Sequence, residues 1–217
     1  MTIRVLVADD QSMVRAGFRM LLGGEEDMEV VAEASNGIEA VAQAARFNPG
    51  IILMDIRMPE LDGLQATRRI LAADKTARIL ILTTFDLDEY VFEALHAGAS
   101  GFVLKDDSPE QLIAAIRTVA AGDALLSPTI TKRVIQKFAR TPRAAPPKEL
   151  DELSERERDV FRLMTRGLSN AEIGKQLFIS ETTVKTHVTH ILQKLSLRDR
   201  VQAVVLAYQT GLFEAPG

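Results

Sequence analysis

Five short apolar runs, at residues 3–8, 29–34, 51–54, 78–82 and 101–104, recur through the first part of the chain, each followed by a segment of helical periodicity. Runs such as VLVA, IILM and ILIL are continuous rather than alternating, the pattern of parallel strands covered on both faces. The helical segments fall at about 12–22, 37–47, 63–72, 88–97 and 108–121. The last opens with Ser108 as cap, Pro109 at the first helical position and Gln111 at the third. Five such units in about 122 residues predict an α/β fold, a doubly wound five-stranded parallel sheet of order 2-1-3-4-5.

Beyond residue 122 the pattern changes. Residues 141–152, TPRAAPPKELDE, hold three prolines and no apolar periodicity, and read as linker. The stretch before them, 128–139, has room for an extra helix. From Leu153 onward the periodicity is helical throughout, in four segments separated by three- to four-residue turns. Ser154 with Glu157, and Ser169 with Glu172, have the spacing of capping boxes, and Asp199 caps the last segment with Gln202 at its third position. A short helix to about Leu177, a turn at Phe178, Ile179 and Ser180, and a longer helix to about Leu195 match helix-turn-helix spacing. The expected organisation is a domain over 1–122, a linker over 123–150, and an all-α four-helix domain over 151–217.

Composition narrows the setting. The longest stretch without Asp, Glu, Lys or Arg is the thirteen residues from Val201 to Phe213, too short for a transmembrane helix. There are no cysteines, which excludes disulfides and thiolate metal sites. Met1 leads directly into the first apolar run, and a cytoplasmic location is expected. The net charge of −4 is uneven: residues 1–139 carry −6, residues 140–149 carry +2, and residues 150–217 balance at zero. Bulk electrostatics therefore gives no case for nucleic-acid binding, which has to come from the helical motif.

Four of the five expected strands end in polar residues: Asp9 and Asp10, Asp55, Thr83 and Thr84, and Lys105. In an open α/β sheet these ends face one crevice where strand order reverses. Three carboxylates, a hydroxyl and an ammonium are thus expected to converge. Like charges a few ångströms apart in a partly dry cleft repel, and a hard oxygen-seeking cation, Mg2+, relieves that. No Gly-rich phosphate loop, nucleophile elbow or HExxH motif is present.

The runs VLVADDQSMVRAG, LMDIRMPELDGL, ILTTFD and AGASGFVLKD resemble the receiver domain of two-component response regulators, over residues 3 to about 121. The resemblance implies Asp55 as phosphoacceptor, with Asp9, Asp10, Asp55 and the backbone carbonyl of Arg57 holding Mg2+. It implies Thr83 as a switch hydroxyl, with Thr84 as its alternative. Lys105 would pair with the phosphoryl group, and Phe102 would be the aromatic that moves with the threonine. Many receivers carry proline after the lysine; here Asp106 follows, and Phe102 lacks the hydroxyl often found at its position.

In the longer helix, Val184, Val188, Ile191 and Leu195 form one stripe, and Lys185, Thr186, Thr189 and Gln193 the opposite face. These are side chains that fit a major groove. The segment LSERERDVFRLMTRGLSNAEIGKQLFISETTVKTHVTHILQKLSLRDRVQAV resembles the LuxR-type helix-turn-helix of NarL-family regulators, which places Lys185, Thr186 and Thr189 toward the bases. His187 and His190, spaced i, i+3, lack a third metal ligand. His96 is expected at the surface.

The function implied is a transcriptional response regulator, not an enzyme. A sensor histidine kinase phosphorylates Asp55, and phosphorylation promotes a homodimer that binds a double-stranded operator. The last helix, with Val201, Val204, Val205 and Tyr208, is one candidate dimer surface and the receiver another. Two other classes compete: a Mg2+-dependent phosphatase with an aspartyl-phosphate intermediate, and a DNA-binding regulator that needs no phosphorylation. The first needs a general acid and a substrate cap, for which the loops are short. The second leaves the complete set of Asp9, Asp10, Asp55, Thr83 and Lys105 without a purpose.

Overall fold

A computed structural model describes residues 2–83, 93–121 and 147–212. The chain divides into two compact units, Met1–Leu125 and Leu126–Gly217. Thr84, the first part of the 88–97 helix, and the extra helix expected at 128–139 lie outside the described residues. Among those described, no helix is long and apolar enough to cross a membrane.

The first unit is an all-parallel sheet of order β2-β1-β3-β4-β5. Its strands are β1 (Ile3–Ala8), β2 (Met28–Ala34), β3 (Ile51–Asp55), β4 (Ile79–Thr83) and β5 (Gly101–Leu104). The helices are α1 (Ser12–Gly23), α2 (Gly37–Phe47), α3 (Gly63–Ala73) and α4 (Pro109–Ala120), with residues 93–97 also helical. Strands β3 and β4 each run one residue further than their apolar character suggests, so Asp55 and Thr83 are the last paired residues of their strands.

Both faces of the central strands are dry, while β2 at the edge is only partly buried. Val5, Val7, Leu53, Leu80, Leu82 and Val103 pack with Leu22 of α1 and Leu112, Ile116 and Val119 of α4. Residues of the other parity, Leu6, Ile52, Met54, Ile79 and Ile81, are buried as well. Continuous apolar strands are the consequence of two covered faces. Helix starts are marked by side chains: Asn36 accepts from Glu39 N–H, Asp62 from Gln65 N–H, and Ser108 with Gln111 forms a full capping box. Where proline is absent after Lys105, Asp107 closes the turn, its carboxylate accepting from Leu104 N–H at 2.9 Å and its own N–H donating to the Leu104 carbonyl.

The second unit holds α5 (Glu155–Thr165), α6 (Asn170–Leu177), α7 (Glu181–Lys194) and α8 (Arg200–Gln209) around a core that includes Val160, Phe161, Met164, Ile173, Val184 and Ile191. Lys148–Glu152, which reads as linker, instead forms a 3-10 helix. Polar and proline-rich composition concealed it, and it is held by side chains from elsewhere: Arg158 donates to the Asp151 carbonyl and Lys194 to that of Glu152. Both capping boxes, Ser154 with Glu157 and Ser169 with Glu172, are formed. Asp199 accepts from Gln202 N–H, but the turn before it, residues 195–199, is longer than the spacing suggested.

Candidate functional site

The parallel register sets Asp9, Asp55, Thr83 and Lys105 at one edge of the sheet. Asp9 and Asp10 follow β1 directly, Asp55 closes β3, Thr83 closes β4, and Lys105 follows β5. Asp9 is fully buried, Asp55 and Thr83 are buried, and Asp10 is exposed. One carboxylate oxygen from each of Asp9, Asp10 and Asp55 lies within 4.8 Å of the others. The Lys105 ammonium sits 2.6 Å from Asp9 Oδ2 and 3.1 Å from Asp55 Oδ2. Among the described residues this is the group of three or more ligand-bearing side chains that converges; His187 and His190 belong to none.

The electrostatics follow from burial and crowding. Burial pushes the Asp55 carboxyl above the usual carboxylate range; Lys105 opposes the push and Asp9 adds to it. Burial pulls the Lys105 ammonium down, but its hydrogen bonds and charge interactions with Asp9 and Asp55 outweigh that and raise it. One ammonium against three carboxylates leaves a cleft still short of positive charge. Its donors are hard oxygens, the set that suits Mg2+.

The rest of the site is built by close backbone packing. Gly63 opens α3 against the end of β3, where a Cβ would lie 1.9 Å from the Asp55 carbonyl oxygen. Only glycine fits there, which fixes the loop from Ile56 to Asp62 that contains Arg57. Its N–H donates to the Ile56 carbonyl at 2.9 Å. Phe102, in the middle of β5, is buried beside Ile81. Two contributors carried no signal that a motif search would weigh. Gly63 is one, and Arg15, whose Nη1 donates to the Asp9 carbonyl at 2.7 Å, is the other. Each lies within a quoted motif, but its role depends on how the strand end packs against the helix that follows it.

In the second unit, α6 and α7 are joined through Phe178, which takes a left-handed conformation at φ 55°. A Cβ on Gly174 would meet the Ile179 carbonyl oxygen at 2.8 Å, so glycine lets the turn close tightly on α6. On α7, Val184 and Ile191 are buried, as is Leu195 at its C-terminal cap, and Val188 is half-buried, while Lys185, Thr186, Thr189 and Gln193 are exposed. Lys185 Nζ pairs with Glu181 at 3.4 Å. The Thr186 and Thr189 hydroxyls donate back to the Thr182 and Lys185 carbonyls. His96 is exposed.

An acidic sheet edge with its lysine, carried on the same chain as a helix-turn-helix, defines the class of DNA-binding response regulators. Residues 5–117 match the response regulator receiver domain and residues 151–207 the bacterial regulatory proteins of the luxR family. The chain belongs to the LuxR-type response regulators of two-component systems. It is 45% identical to the uncharacterized transcriptional regulatory protein YxjL of Bacillus subtilis, over 98% of each chain. It is 38% identical to the oxygen regulatory protein NreC of Staphylococcus carnosus, over 98% of this chain and 100% of that one. Among solved structures, the response regulator ChrA of a heme-sensing two-component system shares 37% identity at a TM-score of 0.53, over 98% and 99% of the two chains.

Proposed function

We propose that Asp55 is the phosphoacceptor through which a sensor histidine kinase controls DNA binding by this chain in the cytoplasm. The observation that carries this is the Asp55 carboxylate at the end of β3, buried, 3.1 Å from Lys105 and clustered with Asp9 and Asp10. An Asp55 oxygen forms a bond to the phosphorus of the donor as the donor's own bond to phosphorus breaks. Asp9, Asp10, Asp55 and the Arg57 carbonyl would hold Mg2+, which when bound neutralises charge on the transferring oxygens. Lys105 then exchanges its contact with the Asp55 carboxylate for one with the phosphoryl group. Thr83, at the adjacent strand end, donates its hydroxyl to another phosphoryl oxygen, and Phe102 takes the space so vacated.

Lys185, Thr186 and Thr189 face the bases. The Lys185–Glu181 pair is exposed and i, i+4, contributing about 0.3–0.5 kcal/mol, so it yields readily to a base or phosphate. With their hydroxyls donated to the helix, Thr186 and Thr189 offer methyls, suited to thymine. The pocket serves signalling through residues 1–122, with 123–150 as the connection to 151–217. The test is mass spectrometry of the full chain after incubation with acetyl phosphate and Mg2+. The parent gains one phosphoryl group and Asp55→Asn gains none; a stoichiometric adduct on Asp55→Asn would refute the assignment.

A further inference from the structure

The carboxylates of Asp9 and Asp10 leave a short turn between β1 and α1, where Asp9 Oδ1 accepts the Gln11 N–H at 2.9 Å. Helices α2, α3 and α4 each begin with a side chain that accepts a backbone N–H, whereas Gln11, at the start of α1, makes no such bond. The carbonyls of the turn are held separately, by Arg15, one turn into α1, which folds its guanidinium back over them. Nη1 donates to the Asp9 carbonyl at 2.7 Å and to the Asp10 carbonyl at 3.3 Å, and Nε donates to Glu33 Oε2 on β2 at 3.3 Å. Glu33 is braced in turn by Arg19, at 2.8 Å from its other oxygen. The Arg15 side chain is 17% exposed, so the guanidinium is held within the fold.

We propose that Arg15 is a positioning residue for the divalent-cation site. It clamps the main-chain carbonyls of Asp9 and Asp10 to the Glu33 anchor on β2, which sets the direction in which the two carboxylates leave the turn. The inference rests on the reading that Asp9, Asp10 and Asp55 hold Mg2+. A small rotation of the peptide between residues 9 and 10 swings both carboxylates. Mg2+ demands near-octahedral geometry at short distances, while Ca2+ accepts looser and more numerous ligands. A clamp on this turn therefore sets selectivity as well as affinity. The planar fork of arginine can hold two carbonyls and a carboxylate at once, which a lysine ammonium on its flexible stem does poorly. By charge alone a guanidinium would weaken cation binding. Positioning and charge thus predict opposite signs for its removal.

The experiment is calorimetric titration of the full-length chain with Mg2+ and, in parallel, with Ca2+, on the parent and on Arg15→Gln, Arg15→Lys, Glu33→Gln and Asp10→Asn. Residues that orient metal ligands typically contribute 10–100-fold in affinity. Arg15→Gln is expected to lose about tenfold or more in Mg2+ affinity and markedly less in Ca2+ affinity. Arg15→Lys, which keeps the charge, should fall in the same direction, and Glu33→Gln by a smaller factor. Unchanged or tighter Mg2+ binding by Arg15→Gln overturns the inference, as does an equal loss for both cations, the mark of a generally loosened domain. Thermal melts without cation establish folding. If Arg15→Gln does not fold, the Mg2+ to Ca2+ ratio of Arg15→Lys and Glu33→Gln decides on the same terms. A parent that binds no Mg2+, or an Asp10→Asn that binds it as the parent does, overturns the cation reading itself and the inference with it.

Discussion

At the residue scale the chemistry turns on one lysine serving two carboxylates. The Lys105 ammonium contacts Asp9 and Asp55 across 96 and 50 positions of sequence, and all three side chains are largely withdrawn from water. Removing one partner of such a group leaves uncompensated buried charge, at roughly 3–5 kcal/mol where burial is complete. Lys105→Ala should therefore melt several degrees below the parent without divalent cation, and Mg2+ should return much of the loss by replacing the missing charge. A melting temperature equal to the parent's in the absence of Mg2+ would remove the ammonium from this role. That these residues lie together was legible, because polar residues at the carboxyl ends of parallel strands share an edge. Which carboxylate oxygen faces the ammonium was not, since that depends on rotamers and on a turn aimed by Arg15 from within α1.

At the element scale, one residue shows both what is local and what is not. Glu157 was readable as the reciprocal member of a capping box with Ser154, since that spacing is a property of a single helix start. Its second partner, Lys194 at the end of α7, sits 2.7 Å away and is 37 residues distant. This bond ties the start of α5 to the far end of the helix that presents Lys185. Burial alone would raise the Glu157 carboxyl; the Lys194 ammonium and the Ser154 N–H and hydroxyl outweigh it and hold it at about 2, against an ordinary 4.5. A depressed carboxylate contributes stability that is complete above pH 4.5 and is lost as pH falls toward about 2. Allowing for the partly exposed lysine, that stability is roughly 2 kcal/mol. Between those pH values Glu157→Gln should lose less stability than the parent, as read by denaturant midpoints; parallel curves would sink the assignment. On the exposed face of α7, Lys185→Ala should cost roughly 1–3 kcal/mol at the operator and relax preference at one position if it reads a base. A uniform loss with a shallower salt slope would instead mark a phosphate contact. Titration of operator variants at two salt concentrations distinguishes them.

At the scale of the whole molecule, one helix-turn-helix makes few base contacts, and paired half-sites require a dimer. Phosphorylated parent should sediment as a dimer, and Asp55→Asn treated identically as a monomer; a phosphorylated monomer that binds its operator singly would refute phosphorylation-driven pairing. Val201, Val204 and Val205 are buried, and Tyr208 lies outside the described side chains. These three valines are therefore not free to form the contact, and the first unit is expected to supply it. The sequence by itself indicated the kinds of element, the parallel sheet and its expected order, the strand ends that meet, the capped starts at Ser108, Ser154, Ser169 and Asp199, and the turn between α6 and α7. The elements, caps and turn follow from periodicity or spacing within a few residues. The strand order, and so which ends meet, is the expectation for a doubly wound sheet of five βα units. Only the tertiary structure decided that Lys148–Glu152 is a 3-10 helix held by Arg158 and Lys194, that Gly63 lies against the Asp55 carbonyl, and that Arg15 grips the Asp9–Asp10 turn. The reason is physical: a long cationic side chain can satisfy any backbone carbonyl within its reach, and which carbonyl comes within reach is settled by packing between elements rather than by the residues beside it.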